Sequence, residues 1–158
     1  MINSLDLAAV SHFGIDRKSP MEARRKGGLL FSRALTKGFW RKFRSRFTGK
    51  ETELKHFGQL AGHSQDHTAD SAGVQLVALD QIVGSENRTT DFDNMFYPLR
   101  AHLQDRWAGI AAARRLGIVL PPVELIQVGQ EYYVRDGHHR ISVARALGQE
   151  SIEAVIVH

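Results

Sequence analysis

The chain has 158 residues, a formal net charge of +4, no cysteine and 42% hydrophobic residues, which suits one domain with a packed core. No run of about 18 consecutive apolar residues occurs, so no transmembrane segment is expected, and the N-terminus lacks the pattern of a secretory signal. The lack of cysteine excludes a disulfide framework, a thiolate nucleophile and a cysteine metal site, and we expect a cytoplasmic protein.

The positive charge is concentrated in one segment. Residues 24–50 contain ten lysines and arginines and no acidic residue, whereas the rest of the chain holds the other eleven cations and all 17 carboxylates, a net of −6. Apolar residues recur every four positions, which predicts an amphipathic helix over residues 21–50: Phe31, Leu35, Phe39, Phe43 and Phe47. We therefore expect residues 1–60 to form a helical basic arm, with further short helices over Leu5–Phe13 and Glu51–Leu60.

Three interpretations of this arm remain open. Its Phe/Leu face packs on the rest of the protein while the basic face is solvated. Alternatively, residues 24–50 bind nucleic acid by neutralising phosphates, with the aromatic side chains next to the bases. In the third interpretation, the helix lies on an anionic membrane surface. A homodimer formed through the arm is a further hypothesis.

After a small, polar linker over residues 61–73, the pattern changes to alternating strands and helices over residues 74–158. Period-two and helical spacings, with glycine and proline at the breaks, predict the following order: a strand within Val74–Ile82 followed by a turn at Leu79-Asp80, an irregular loop over residues 84–98, a helix over Leu99–Leu116, a hairpin of Val123–Val128 with Glu131–Arg135, a helix through Ser142–Leu147, and a strand over Ile152–Val157. This order predicts an α/β (α+β) domain with a small mixed sheet.

The junction between the hairpin and the next helix carries a distinctive set of residues, Asp136, Gly137, His138, His139 and Arg140. Glycine permits a backbone conformation closed to other residues, and the first amides of a helix have no internal partners and carry partial positive charge. Such a turn accepts an anion. Arginine adds a bidentate contact, and histidine donates hydrogen bonds or carries protons.

A plainer interpretation of this turn remains open, in which Asp136 only caps the helix. A metal site formed by His138 and His139 is not expected, because adjacent side chains on a helix diverge by roughly 100°. In the loop after the first strand, Arg88 is a candidate to touch phosphate. Three carboxylates of this loop are candidates to bind magnesium or to act as a general base: Glu86, Asp91 and Asp93. The alternative is that the loop is only solvated.

Several stretches between Val74 and Val157 together resemble the ParB/sulfiredoxin-like superfamily: VALDQI, RLGIVLPPVELIQV, QVGQEYYVRDGHHR and ISVARALGQESIEAVIV. The shared pattern is a strand, Asp-Gly-x-x-Arg, a helix ending in Leu-Gly, and a strand. The resemblance implies a nucleotide-binding fold in which ATP or CTP, with Mg²⁺, rests its phosphates on the turn at Gly137–Arg140.

Lines within the superfamily differ at this turn. Sulfiredoxins resemble the chain but carry a cysteine at the position of His138, so their chemistry is excluded here. Partition proteins carry Gly-Glu-Arg-Arg, and free-serine kinases carry Asp-Gly-His-x-Arg, which this chain matches best. The resemblance implies a kinase-like phosphotransferase or a nucleotide-hydrolysing switch, with His138 and Glu86 as catalytic candidates. The alternative is a DNA-binding or other nucleic-acid-binding ParB-like protein, of the kind often labelled a nuclease, that uses the basic arm.

Overall fold

A computed structural model of the chain describes residues 19–60 and 73–157. In chain order its main elements are α1 (Pro20–Thr48), β1 (Lys55–His56), β2 (Gln75–Ala78), β3 (Ile82–Ser85), α2 (Gln104–Arg115), β4 (Val123–Val128), β5 (Glu131–Asp136), α3 (His138–Ala146) and β6 (Ser151–Ile156). Short 3₁₀ turns cover Phe57–Leu60, Leu79–Gln81 and Ala101–Leu103. The helix expected over Leu5–Phe13 and residues 61–72 of the expected linker lie outside the described residues.

Six strands form one mixed sheet in the order β1-β3-β5-β4-β6-β2. The hairpin β4–β5 and the pair β2–β6 are antiparallel, whereas β1–β3, β3–β5 and β4–β6 are parallel. The expected hairpin, the last strand and the α/β class with a small mixed sheet are confirmed. The parallel pairs bring the ends of β3 and β5 together at one edge of the sheet, where α3 begins.

The short helix expected over Glu51–Leu60 is wrong. Lys55 and His56 instead form an edge strand paired with Gly84 and Ser85, and the Lys55 ammonium contacts the Glu131 carboxylate at 2.6 Å. These partners are distant in sequence, so local periodicity does not reveal them. Strand β3 likewise takes the first residues of the loop expected over 84–98, and the rest of that loop is irregular.

The helix expected over residues 21–50 is confirmed as α1, but its packing face differs from the expected one. The buried stripe consists mainly of small residues: Ala23, Gly27, Phe31, Ala34 and Gly38. A Cβ atom on Gly27 would lie 2.6 Å from the Ala108 carbonyl oxygen of α2, and one on Gly38 would lie 2.8 Å from the Pro98 carbonyl oxygen. These glycines therefore let α1 approach α2 and the segment before α2 closely.

Of the expected Phe/Leu face, only Phe31 is buried and Leu35 is partly buried. Phe31 meets Trp107 of α2 edge-on, with ring centroids 5.6 Å apart. The Trp107 indole N–H in turn donates to the Ser142 hydroxyl of α3 at 2.8 Å. The chain of contacts from α1 through α2 to α3 fixes the position of α3 against the sheet. In the described ranges, no helix is both long and apolar enough to cross a bilayer.

Candidate anion-binding site at the start of α3

Gly137 makes the turn from β5 into α3. Its φ is 105°, in the left-handed region, and a Cβ atom there would lie 2.4 Å from the Val123 side chain. No residue with a side chain fits this position without displacing β4. Asp136 does not cap the helix, since no side-chain cap is formed. Its carboxylate instead pairs with the Arg140 guanidinium one turn later.

The first helical hydrogen bond of α3 runs from the Ile141 amide to the Gly137 carbonyl, at 3.0 Å. In the described part of the chain, no acceptor faces the amides of His138, His139 and Arg140. The same three residues line a cavity of about 40 Å³, together with Arg88 and Arg106. Unbonded amides at a helix start attract an anion, and two guanidinium groups strengthen that attraction.

Arg140 does not point freely into this cavity. Its guanidinium donates to the carbonyl oxygens of Pro121 and Pro122, at 2.6 and 2.7 Å, as well as pairing with Asp136. It thus ties the segment before β4 to the first turn of α3. Its bidentate phosphate contact stays a prediction, because that contact requires the guanidinium to exchange these partners.

His138 is buried and links the start of α3 to the end of β3. The Ser85 hydroxyl accepts hydrogen bonds from the amides of Asn87 and Arg88, at 3.2 and 2.9 Å. Since these bonds use both of its lone pairs, we infer that the hydroxyl donates its proton to His138 Nε2, 2.7 Å away. The imidazole is then neutral, with its own proton on Nδ1.

Burial favours the neutral form of both histidines. It lowers the pKa of His138 to about 4, assisted by the nearby Arg88 and His139 charges. Burial also lowers the pKa of His139 to about 4, with help from Arg106 and Arg88. Both imidazoles contact the buried Phe92 ring, His138 stacked at 6.2 Å and His139 edge-on at 5.4 Å. His139 Nε2 is buried and has no partner among the described residues.

Two residues of this site were missed by the sequence analysis, Arg106 and Ser85. Arg106 lies on the exposed face of α2, and no carboxylate pairs with it in the described ranges. Its spacing is that of an ordinary surface residue of a helix, so no sequence signal indicated the site. Ser85 is the last residue of β3 and stands in Gly-Ser-Glu, a pattern too common to indicate its role. Arg88, which the sequence did suggest, lines the cavity and contacts Asp91 at 3.4 Å.

Glu86 and Asp93 lie outside the cavity. The Glu86 carboxylate accepts from Arg135 Nε at 3.3 Å. The Asp93 carboxylate is fully buried, and Arg41 donates to its Oδ2 at 2.7 Å. Its Oδ1 accepts from the amides of Met95 and Tyr97, so the Asp93 side chain anchors α1 to this loop. In residues 19–60 and 73–157, no group of three or more histidine or carboxylate side chains is arranged to hold a metal.

Comparison with solved structures finds matching chains, one of which is a sulfiredoxin. The crystal structure of sulfiredoxin from Arabidopsis thaliana is 22% identical, with a TM-score of 0.41, over 54% of this chain and 84% of that one. No known family profile and no curated protein matches the chain.

Proposed function

We propose that the first turn of α3 binds the phosphate of a nucleotide, ATP or CTP carrying Mg²⁺. The observation that carries the proposal is the meeting of three unbonded amides with the Arg88 and Arg106 side chains at one cavity. Positive charge from the helix end and from two guanidinium groups favours an anion there. Gly137 supports the same assignment, because its left-handed backbone lets α3 begin directly after β5, beside this cavity.

The dimensions of the cavity suit one phosphoryl group. At about 40 Å³ it holds roughly three water-sized volumes, too few for a nucleobase. A larger cavity of about 430 Å³ is lined by Arg140, by residues 117–121 and by the start of β6. Arg140 borders both cavities. We therefore place the phosphate against α3 and the nucleoside towards this second cavity.

The chemistry that follows binding in this proposal is kinase-like phosphoryl transfer or nucleotide hydrolysis. Asp136 is the carboxylate that lines the phosphate cavity, so it is the candidate to contact Mg²⁺ held by the phosphates. When bound, the metal neutralises charge on the phosphates. His138 is neutral near pH 7 because its pKa is lowered to about 4, and Glu86 is paired with Arg135. Neither residue is thus an obvious proton carrier in this structure, so nucleotide binding is the step to test first.

The test is thermal unfolding of the full chain with millimolar ATP, CTP or pyrophosphate, each with Mg²⁺. A ligand at about ten times its Kd stabilises the folded state by roughly 1.4 kcal/mol, which raises Tm by several degrees. We expect Arg106→Gln to weaken binding about tenfold, because it removes one charge-assisted hydrogen bond.

The matched control is Arg115→Gln, which removes the same charge from an exposed position at the end of the same helix. It should leave nucleotide binding unchanged. If no nucleotide or pyrophosphate raises Tm, or if R106Q and R115Q weaken binding equally, the phosphate assignment is wrong.

A further inference from the structure

The last three turns of α1 expose four large aromatic side chains, which we call the aromatic ridge: Phe39, Trp40, Phe43 and Phe47. Between 43% and 78% of each side chain is exposed. The rings contact one another in sequence, edge to face, with centroid separations of 6.1, 5.7 and 5.3 Å. They form one continuous apolar surface, and scattered exposure of single apolar residues does not produce such a surface.

The aromatic ridge points away from the other described residues. Because each residue turns an α-helix by about 100°, the four rings fall within an arc of roughly 100°. The buried stripe of α1, from Ala23 to Gly38, lies on the opposite side of the helix. The ridge therefore faces outward while the small-residue stripe holds α1 against α2, and burying the rings requires no unpacking of the fold.

Cations border the aromatic ridge on both sides. The same helical geometry places Arg33, Lys37 and Arg44 along one flank, and Lys42 and Arg46 along the other; all five are exposed. Residues 24–50 contain no acidic residue. Of the cations in this half of α1, Arg41 is committed to a buried carboxylate, Asp93. Lys37 lies over the Tyr97 ring, 4.7 Å from its centroid. None of the five flanking cations pairs with a carboxylate among the described residues, so their charges remain available to an external anion.

We infer that this face of α1 binds an anionic lipid surface. In this arrangement the aromatic rings enter the boundary between headgroups and acyl chains, and the flanking lysines and arginines contact the lipid phosphates. An apolar centre with cations along both edges matches the layering of such a surface, with hydrocarbon below and phosphate above. This inference is independent of the nucleotide site, which lies at the start of α3.

Other occupants of the ridge fit less well. A second copy of α1 packed face to face would bring two sets of cations together with no acid to neutralise them, and that repulsion opposes association. Nucleic acid would need separate ring faces on which bases stack. Here each ring of the ridge packs against the next at 77°, 88° or 62°, so the rings do not present parallel platforms.

Trp40 provides a direct measurement, because it belongs to the ridge and the other tryptophan, Trp107, is fully buried. The experiment adds phosphatidylglycerol or phosphatidylcholine vesicles to the full chain and follows tryptophan emission and co-sedimentation. We expect a blue shift and co-sedimentation with phosphatidylglycerol only, both weakened by added salt. The double variant Phe43→Ser/Phe47→Ser should lower vesicle partitioning by about tenfold or more.

The control is Val74→Ser, since Val74 is an exposed apolar residue outside α1 and its replacement should leave partitioning as in the wild type. Lys42→Gln/Arg46→Gln should reduce binding to phosphatidylglycerol by several-fold, because each cation near an anionic surface contributes. The inference is overturned if the protein does not co-sediment with phosphatidylglycerol vesicles, or if F43S/F47S binds them as the wild type does. It is also overturned if an oligonucleotide, and no vesicle, changes Trp40 emission.

Discussion

Replacing Asp93 with alanine should lower the free energy of unfolding by about 2 to 4 kcal/mol. The carboxylate is fully buried and accepts three hydrogen bonds, from the Met95 and Tyr97 amides at 3.0 and 2.8 Å and from Arg41 at 2.7 Å. Alanine leaves two amides and a partly buried guanidinium without their acceptor. Urea unfolding at neutral pH measures the change, and an unaltered slope would show that the compactness of both states is preserved.

Asp91→Ala is the matched control for this prediction. Asp91 lies two residues away in the same loop, and its contact with Arg88 is long, at 3.4 Å, and partly exposed. Its removal should change stability by less than about 1 kcal/mol. Equal effects of D93A and D91A would contradict the structural role of Asp93. A large effect of D93A alone would explain any loss of activity in that variant without a magnesium or general-base role for Asp93.

Acidification from pH 7.5 to 4.5 should destabilise the protein by about 2 kcal/mol for each of His138 and His139. Burial lowers the pKa of both side chains to about 4 in the folded state, below the value of about 6.5 expected in the unfolded chain. The unfolded state therefore binds more protons between pH 6.5 and 4. Stability is highest above pH 6.5, falls through this window, and stops falling on account of these groups below about pH 4.

His139→Leu should reduce this acid-induced loss by about half, since it removes one of the two titrating groups and a buried nitrogen without a partner. His102→Gln, at an exposed position before α2, should retain the wild-type profile. Hydrogen bonds from Lys26 and Lys55 lower the pKa of Glu22 and Glu131, respectively. Protonation of these two carboxylates therefore affects stability mainly at a pH below the window in which the histidines titrate. A flat stability profile between pH 6.5 and 4.5 would contradict the histidine assignment.

Much of the candidate site could be predicted from sequence because its central features are local. A glycine between a strand and a helix indicates a special backbone conformation and a helix start, and Gly137 has both. Arg88 was also identified as a candidate, and it lines the cavity. The partners of these residues were not predictable. Ser85 meets His138 across 53 positions, and Arg106 reaches the site only because α2 packs beside α3.

The sequence by itself determined where α1, α2, the β4–β5 hairpin and the final strand form, since periodicity and glycine or proline breaks act over a few residues. It also determined that the excess of positive over negative charge lies in residues 24–50. Tertiary structure alone decided which side of α1 is buried. The Phe/Leu repeat indicated one face, but close approach to the Ala108 and Pro98 carbonyls requires Gly27 and Gly38. Because this close packing buries the glycine side of α1, the aromatic ridge on the opposite side of the helix stays at the surface.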